Sequence, residues 1–154
     1  MYQNFVNNKV SMSEPLESIK KLIEKNDSHI YEINIHDTNE NKDYIVRDID
    51  DIEEFTSVFN SLKDTIVTTN KKGVLMADSD YNIIVYFGEY DNELGEYTVK
   101  GAIYLYVNVE NEYAFRILVP DHPKIEINGE LKMDSVPFAN PIIGYVVDKT
   151  KNHR

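Results

Sequence analysis

The sequence has no cysteine and no tryptophan. Without Cys there is no disulfide framework, no thiolate zinc site, no iron–sulfur cluster and no thiol nucleophile. The same absence is neutral between cytosol and exterior. Basic residues are scarce: 16 Lys and Arg stand against 27 Asp and Glu, a formal charge of −11. That balance repels phosphate backbones and argues against nucleic-acid binding through a basic groove. No apolar run approaches the roughly 18 residues that a membrane span needs. Glycine is sparse as well, 6 in all. None builds a Gly-rich loop at a helix start or a Gly-x-Ser-x-Gly elbow, so neither a phosphate-cradling loop nor that exposed serine nucleophile is encoded.

What is present is a chain of 154 residues, 42% of them hydrophobic, with 11 Tyr and 6 Phe. That is the length and composition of one globular domain. Met1 is followed by Tyr2, Gln3, Asn4, Phe5 and Val6, with no basic region and no apolar run of about 7–15 residues, so no targeting segment is read. The chain as given is expected to be cytoplasmic. The alternative is the soluble part of an exported protein.

Residues 1–12 show no period and read as a loose arm. A single α+β domain is expected over 13–147 and a basic tail over 148–154. Ser13 as cap, Pro15 in the first turn, and Leu16, Ile19, Leu22 and Ile23 at helical spacing predict a helix over 14–25. From Ile30 the period becomes two. Tyr31, Ile33 and Ile35 are expected on one face and Glu32 and Asn34 on the other. A turn at 37–43 and a strand from 44 complete a hairpin. Ile52, Phe55, Phe59, Leu62 and Ile66 repeat at three and four. They predict a second helix, capped by Asp50 with Glu53 as its capping-box partner, that must lie on something apolar.

The rest reads as strand: a short edge at 74–77, an alternating strand over 81–87, an acidic loop over 88–95 and a long strand over 97–109. In that long strand Ile103, Leu105, Val107 and Val109 are expected to face inward and Gly101 marks a bulge or a bend. A turn at 110–112 leads to Tyr113, Phe115, Ile117 and Val119, ended by Pro120 and Pro123. Asn128-Gly129, between Ile125 and Ile127 and then Leu131 and Met133, predicts a hairpin turn. Residues 142–147 read as a last strand. Short turns between strands imply antiparallel pairing. The expected architecture is α+β: two N-terminal amphipathic helices packed on a mostly antiparallel, meandering β-sheet.

Few residues gather into a chemical constellation. His29 and His36 lie about 23 Å apart on an extended strand, and His122 and His153 stand alone, so no metal pair is assigned. Asp78, Asp80, Asn82 and Glu89 match the first, third, fifth and last ligand positions of a calcium loop, but Ile83 stands where that loop requires Gly. The acidic run Asp48, Asp50, Asp51, Glu53 and Glu54 is read first as suiting the positive end of a helix; facing a basic partner is its second use. Lys149, Lys151 and Arg154 read as solubilising charges of the tail. No catalytic residue, no metal and no cofactor is assigned, and the chain is not expected to be an enzyme.

Tyr86, Tyr104 and Tyr106 fall on the less apolar faces of their strands and are expected to share one sheet face. Cross-strand aromatic pairing stabilises a sheet by itself, but tyrosine is also favoured at interfaces. With Glu89, Asp91, Glu93 and Glu96 in or beside the acidic loop, these rings form the candidate binding set. The expected function is a non-catalytic acidic binding protein, an inhibitor or immunity-type protein covering a basic partner protein. Two alternatives are an exported lipoprotein domain and a hydrolase whose site is assembled only in space.

The helix over 51–63, followed by Met76, Ala77, Asp78, Ser79, Asp80, Tyr81, Asn82, Ile83, Ile84 and Val85, resembles the YhfM-like domain of small Gram-positive lipoproteins. The resemblance covers about residues 44–119. It implies a non-enzymatic α+β domain, admits export, and brings no catalytic residues to carry over. It also implies a closing helix where this sequence reads as β-rich, and there is no lipobox Cys.

Overall fold

A computed structural model describes residues 9–11, 13–25, 27–64, 66–68, 79–107, 114–119, 122, 126–132 and 141–151. Helix α1, Ser13–Lys25, places Glu14 in its first turn and Lys25 in its last, each suited to the local end of the dipole. Leu16 and Ile19 are buried, with Leu22 and Ile23 packed beside them. The helix stops at Asp27, whose φ of 51° is left-handed. The amides of Asp27 and Ser28 then bond back to the Glu24 and Ile23 carbonyls, each at 3.0 Å.

The strands are β1 Lys9–Ser11, β2 His29–Asp37, β3 Lys42–Val46, β4 Ile66–Thr68, β5 Tyr81–Asp91, β6 Glu96–Val107, β7 Ala114–Leu118 and β8 Glu126–Lys132. They form one eight-stranded sheet in the order β1-β4-β8-β7-β6-β5-β2-β3, with every pairing antiparallel. Helix α2, Ile49–Asn60, is capped by Asp48, whose side chain accepts from the Asp51 amide at 3.2 Å. A 3-10 turn, Ser61–Asp64, follows it. Helix α3 is Pro141–Lys151.

The core lies on the inner face of the four strands β3, β2, β5 and β6. The cross-strand rows are Ile33–Val85–Ile103, Ile35–Ile83–Leu105 and Asp37–Tyr81–Val107, with Val46 and Tyr44 continuing the first two rows on β3. Leu16 and Ile19 of α1, Ile52, Phe55 and Phe59 of α2, Leu62 of the 3-10 turn and Ile142, Tyr145 and Val146 of α3 belong to the same buried cluster. Asp37 is buried at the end of its row. Its Oδ1 accepts from the Asn39 and Glu40 amides, so this carboxylate shapes the β2–β3 turn.

Several expectations need correction. The α+β class and the antiparallel pairing hold, but the described residues form three α-helices, and the third, Pro141–Lys151, was not expected. Residues 142–147 are helix, not strand: Ile142, Tyr145, Val146 and Thr150 recur at three- and four-residue spacing and are all buried. The β-branched run concealed that period. Lys9–Ser11, expected within a loose arm, pairs with Ile66–Thr68. Ile66 accordingly belongs to a strand and not to the stripe of α2. Asp48, not Asp50, caps α2. Asn128 and Gly129 do not turn the chain: β8 runs through them, opposite Arg116 and Phe115 of β7. Pairing along a whole strand outweighed a two-residue turn signal. The acidic loop is shorter than expected, because Glu89 and Asp91 lie in β5, Glu96 lies in β6, and only residues 92–95 turn. Expectations at 74–77, Asp78, Val109–Tyr113, Pro120, Pro123, Ile125, Met133, His153 and Arg154 lie outside the described residues.

Candidate binding surface

The face of β2, β5 and β6 opposite the core carries a different population. Register places Asn34, Ile84 and Tyr104 in one row, His36, Asn82 and Tyr106 in the next, and Glu32, Tyr86 and Ala102 in a third. The expected gathering of Tyr86, Tyr104 and Tyr106 on one face is what this register produces. All three are half-buried.

Two bulges enlarge the aromatic content of this face. In β2 the register shifts between Ile30 and Glu32, so Tyr31 is the extra residue. The shift turns Tyr31 away from Ile33 and Ile35, against the simple alternation expected for it. Its ring stacks on Tyr97 at 4.5 Å between centroids, nearly parallel, and lies 6.5 Å from Tyr86. The second shift, between Phe87 and Gly88, stands opposite the step from Gly101 to Val99, where the glycine had marked a bulge. Gly101 leaves room for the Phe87 ring, and Gly88 for the backbone of Thr98 and the ring of Tyr31.

Tyr97 also meets Tyr90 edge-on at 5.2 Å and His29 at 5.5 Å. His29 Nε2 and the Tyr97 hydroxyl share a hydrogen bond of 3.2 Å. Burial pushes the Tyr31 phenol above its ordinary pKa, and Glu32 adds to the effect. Tyr90, Tyr97, Tyr31 and Tyr86 thus form a continuous chain of rings running from the tip of the β5–β6 hairpin onto the sheet. Around that tip Tyr90, Leu94 and Val99 are among the most exposed large apolar side chains.

The acids at the tip have separate roles. Asp91 Oδ1 accepts from the Glu93 and Leu94 amides, and its carbonyl from Gly95, whose φ of 70° closes the turn. Asp91 therefore holds the turn, while Glu89, Glu93 and Glu96 are exposed around it. Tyr104 and Tyr106 sit elsewhere: Tyr104 is about 23 Å along β6 from Tyr97 at the rise of a strand. They line a depression of about 270 Å³ with Asn34, His36, Asp43, Asn82 and Ile84. His36 Nδ1 lies 2.7 Å from Asp43 Oδ1. The Asn34 Oδ1 atom is shut off from solvent and has no hydrogen-bond partner among the described residues.

The expected site is therefore two sub-regions rather than one. The acidic residues sit with Tyr90, Tyr97 and Tyr31, which the sequence reading did not select, and not with Tyr104 and Tyr106. One signal was available: Tyr90 and Tyr97 are equidistant from the 92–95 turn and so must oppose each other in the hairpin.

Other sequence-flagged residues have local duties. Asp80 Oδ1 accepts from the Asn39 side chain, its carbonyl accepts from the Thr38 amide, and Asn82 bonds Ser79. These contacts tie the start of β5 to the β2–β3 turn. In the acidic run, Asp51 and Glu54 hold Lys149 Nζ at 2.9 and 3.1 Å, and the Tyr145 hydroxyl donates to the Asp51 carbonyl at 3.0 Å. Lys149, expected in a solubilising tail, is thus the cation that this acidic helix faces. Its charge is further favoured above the ordinary lysine range by those hydrogen bonds, chiefly that to Asp51. His122 is exposed. A cleft of about 400 Å³ between α1 and α2 has Ile23, Ile49, Ile52 and Phe59 in its walls; its floor is the core cluster.

No protein-family model matches the chain, and no curated protein does. Among solved structures, a crystal structure described as a "Putative Lipoprotein from Clostridium perfringens" has a similar fold: TM-score 0.58 at 14% identity, over 92% of this chain and 98% of that one. At that identity the likeness is one of fold. No helix among the described residues is long and apolar enough to cross a membrane.

Proposed function

We propose that this chain is a non-catalytic binding domain that engages a basic protein partner through the ring chain Tyr90–Tyr97–Tyr31–Tyr86 and the acids beside it. The carrying observation is the contiguity of those rings on the sheet face that the core leaves to solvent, with Glu89, Glu93 and Glu96 exposed at one end. Tyrosine supplies rigid contact area with a polar tip, and interface energy concentrates in a few such anchors. The acids attract a basic partner at long range and speed its association, an effect that salt screens. Tyr104 and Tyr106, half-buried on the same sheet face, extend the surface.

The test is a kinetic binding assay against a partner recovered from the native host, at low and high salt. Glu93→Lys with Glu96→Lys should slow association at low salt. Tyr97→Ala should mainly speed dissociation. Association indifferent to salt, together with a Tyr97→Ala variant that binds as the parent does, overturns the reading.

A second reading is an exported lipoprotein domain. It is supported by the fold likeness to the Clostridium perfringens protein. Both readings can hold together, since an anchored domain can also be a binding domain. Fractionation of the native cells, probed with an antibody to this chain, decides it: recovery in the cytoplasmic fraction alone removes export.

A further inference from the structure

Strand β3 ends the sheet among the described residues. Its outward residue Ile45 is 48% exposed, and Ile49, just beyond it, is 70% exposed. Such an edge presents backbone groups to solvent and is a template for another strand. Beyond β3, Asp48 is itself extended, with φ −62° and ψ 130°. The charges along this edge alternate in a particular way: Lys42, Asp43, Arg47 and Asp48.

Consider a second copy laid antiparallel, with a two-fold axis through Ile45. Asp43 then faces Arg47 of the other copy, Lys42 faces Asp48, and Ile45 faces Ile45; every charged pair is of opposite sign and occurs twice. Moving the axis by one residue either way sets Asp43 opposite Ile45 or Ile49 and loses the match. Asp43 and Arg47 also keep capacity for the new contact, while Asp48 caps α2 and Lys42 Nζ lies over the Tyr44 ring. Arg47 uses Nε toward Glu32, leaving its two terminal nitrogens, and Asp43 uses Oδ1 toward His36, leaving Oδ2. Cross-strand opposite charges favour a register, and like charges directly opposite destabilise it.

We infer that β3 is a self-pairing edge: two copies of this chain join β3 to β3 about Ile45, which makes one continuous sheet and sets the two tyrosine faces side by side. An isologous contact of this kind closes on itself and does not propagate. A pairing of one short strand buries less than the ~1,200 Å² of a standard interface. The dimer is accordingly weak.

Sedimentation velocity over a concentration series tests it. The parent chain should shift from monomer to dimer across that range. Asp43→Arg alone and Arg47→Asp alone should each weaken self-association about tenfold or more, because each sets like charges face to face. Mixing the two variants should restore dimer formation, since one then carries two cations and the other two acids along the edge. The chain has no cysteine, so Ile45→Cys offers an independent readout: with oxidised glutathione it should form a disulfide-linked dimer at concentrations where Glu93→Cys does not. A parent that stays monomeric at several hundred micromolar, or dimers that survive both single variants unchanged, or variants that fail to restore association when mixed, each overturn the proposal.

Discussion

The inner and outer faces of β2, β5 and β6 are built from the same strands, yet differ in kind. The inner face is Ile33, Ile35, Ile83, Val85, Phe87, Ile103, Leu105 and Val107, all at most 1% exposed, under helices. The outer face is tyrosine, asparagine, histidine and isoleucine, half-buried, with its aromatic contacts made across strands. One face obeys strict alternation. The other owes its ring chain to the bulge that turns Tyr31 out and to the space that Gly88 leaves. Core packing tolerates little irregularity, because every methylene has neighbours to displace. A face without a packed layer can carry bulges, and bulges re-aim side chains.

The largest expected effect tests the inner face. Phe59→Ala removes a ring that is 5% exposed and stacked on Phe55, and should cost about 3–5 kcal/mol in a denaturation experiment. A cost below about 1 kcal/mol would remove α2 from the core.

Gly88→Ala breaks the outer face instead. A Cβ there would lie 2.1 Å from the Thr98 carbonyl oxygen and 3.1 Å from the Tyr31 ring. The backbone contact cannot yield by a rotamer change, so the cost should be about 1–3 kcal/mol. The near-ultraviolet circular dichroism of the tyrosines should change as the Tyr31–Tyr97 stack is displaced. An unchanged spectrum with unchanged stability would show that Gly88 is dispensable to that stack.

Lys149→Met removes the cation shared by Asp51 and Glu54. Both carboxylates are more than a third exposed, so solvent screens the pairs and the cost should stay near 1 kcal/mol. Its signature is in pH. Hydrogen bonds to Asp51 and Glu54 raise the Lys149 pKa above its ordinary 10.5, and burial raises that of Tyr145 above 10.0. The folded state therefore holds both protons more tightly than the unfolded state. The associated stability is complete below about pH 10 and declines as pH rises beyond it. Urea midpoints of the parent should fall above pH 10, and those of Lys149→Met should fall less steeply. Equal slopes would show that Lys149 does not contribute.

Tyr97→Ala should cost about as much stability as Lys149→Met, about 0.5–1.5 kcal/mol from lost ring contacts, while weakening partner binding most. Its midpoint in urea and its dissociation rate separate the two faces. A loss of stability as large as that of Phe59→Ala would mean that the outer face is core too.

The legible elements were those whose pattern is local. The buried positions of α2 and the alternation within β5 and β6 were read from the sequence, because side-chain direction follows from backbone period alone, but β5 continues to Asp91, past the expected end at 87. The C-terminal helix was misread because Ile142, Ile143, Val146 and Val147 favour strands, and burial against Phe55 decided otherwise. The candidate site was half legible. Tyr86, Tyr104 and Tyr106 followed from alternation, whereas Tyr31 depended on a bulge and His29 on its contact with Tyr97.

Composition and short periods were enough for the α+β class, the inward set of β5 and β6, the buried face of α2 and the net acidity of the chain. Each is a property of composition or of a short period. Only the tertiary structure decided the strand order, the closing helix, the pairing of β1 with β4 and the destination of the acidic run at Asp51. Lys149, 98 residues further along the chain, meets that aspartate, and no local pattern encodes a contact whose partners are joined only by the packing of α3 on α2.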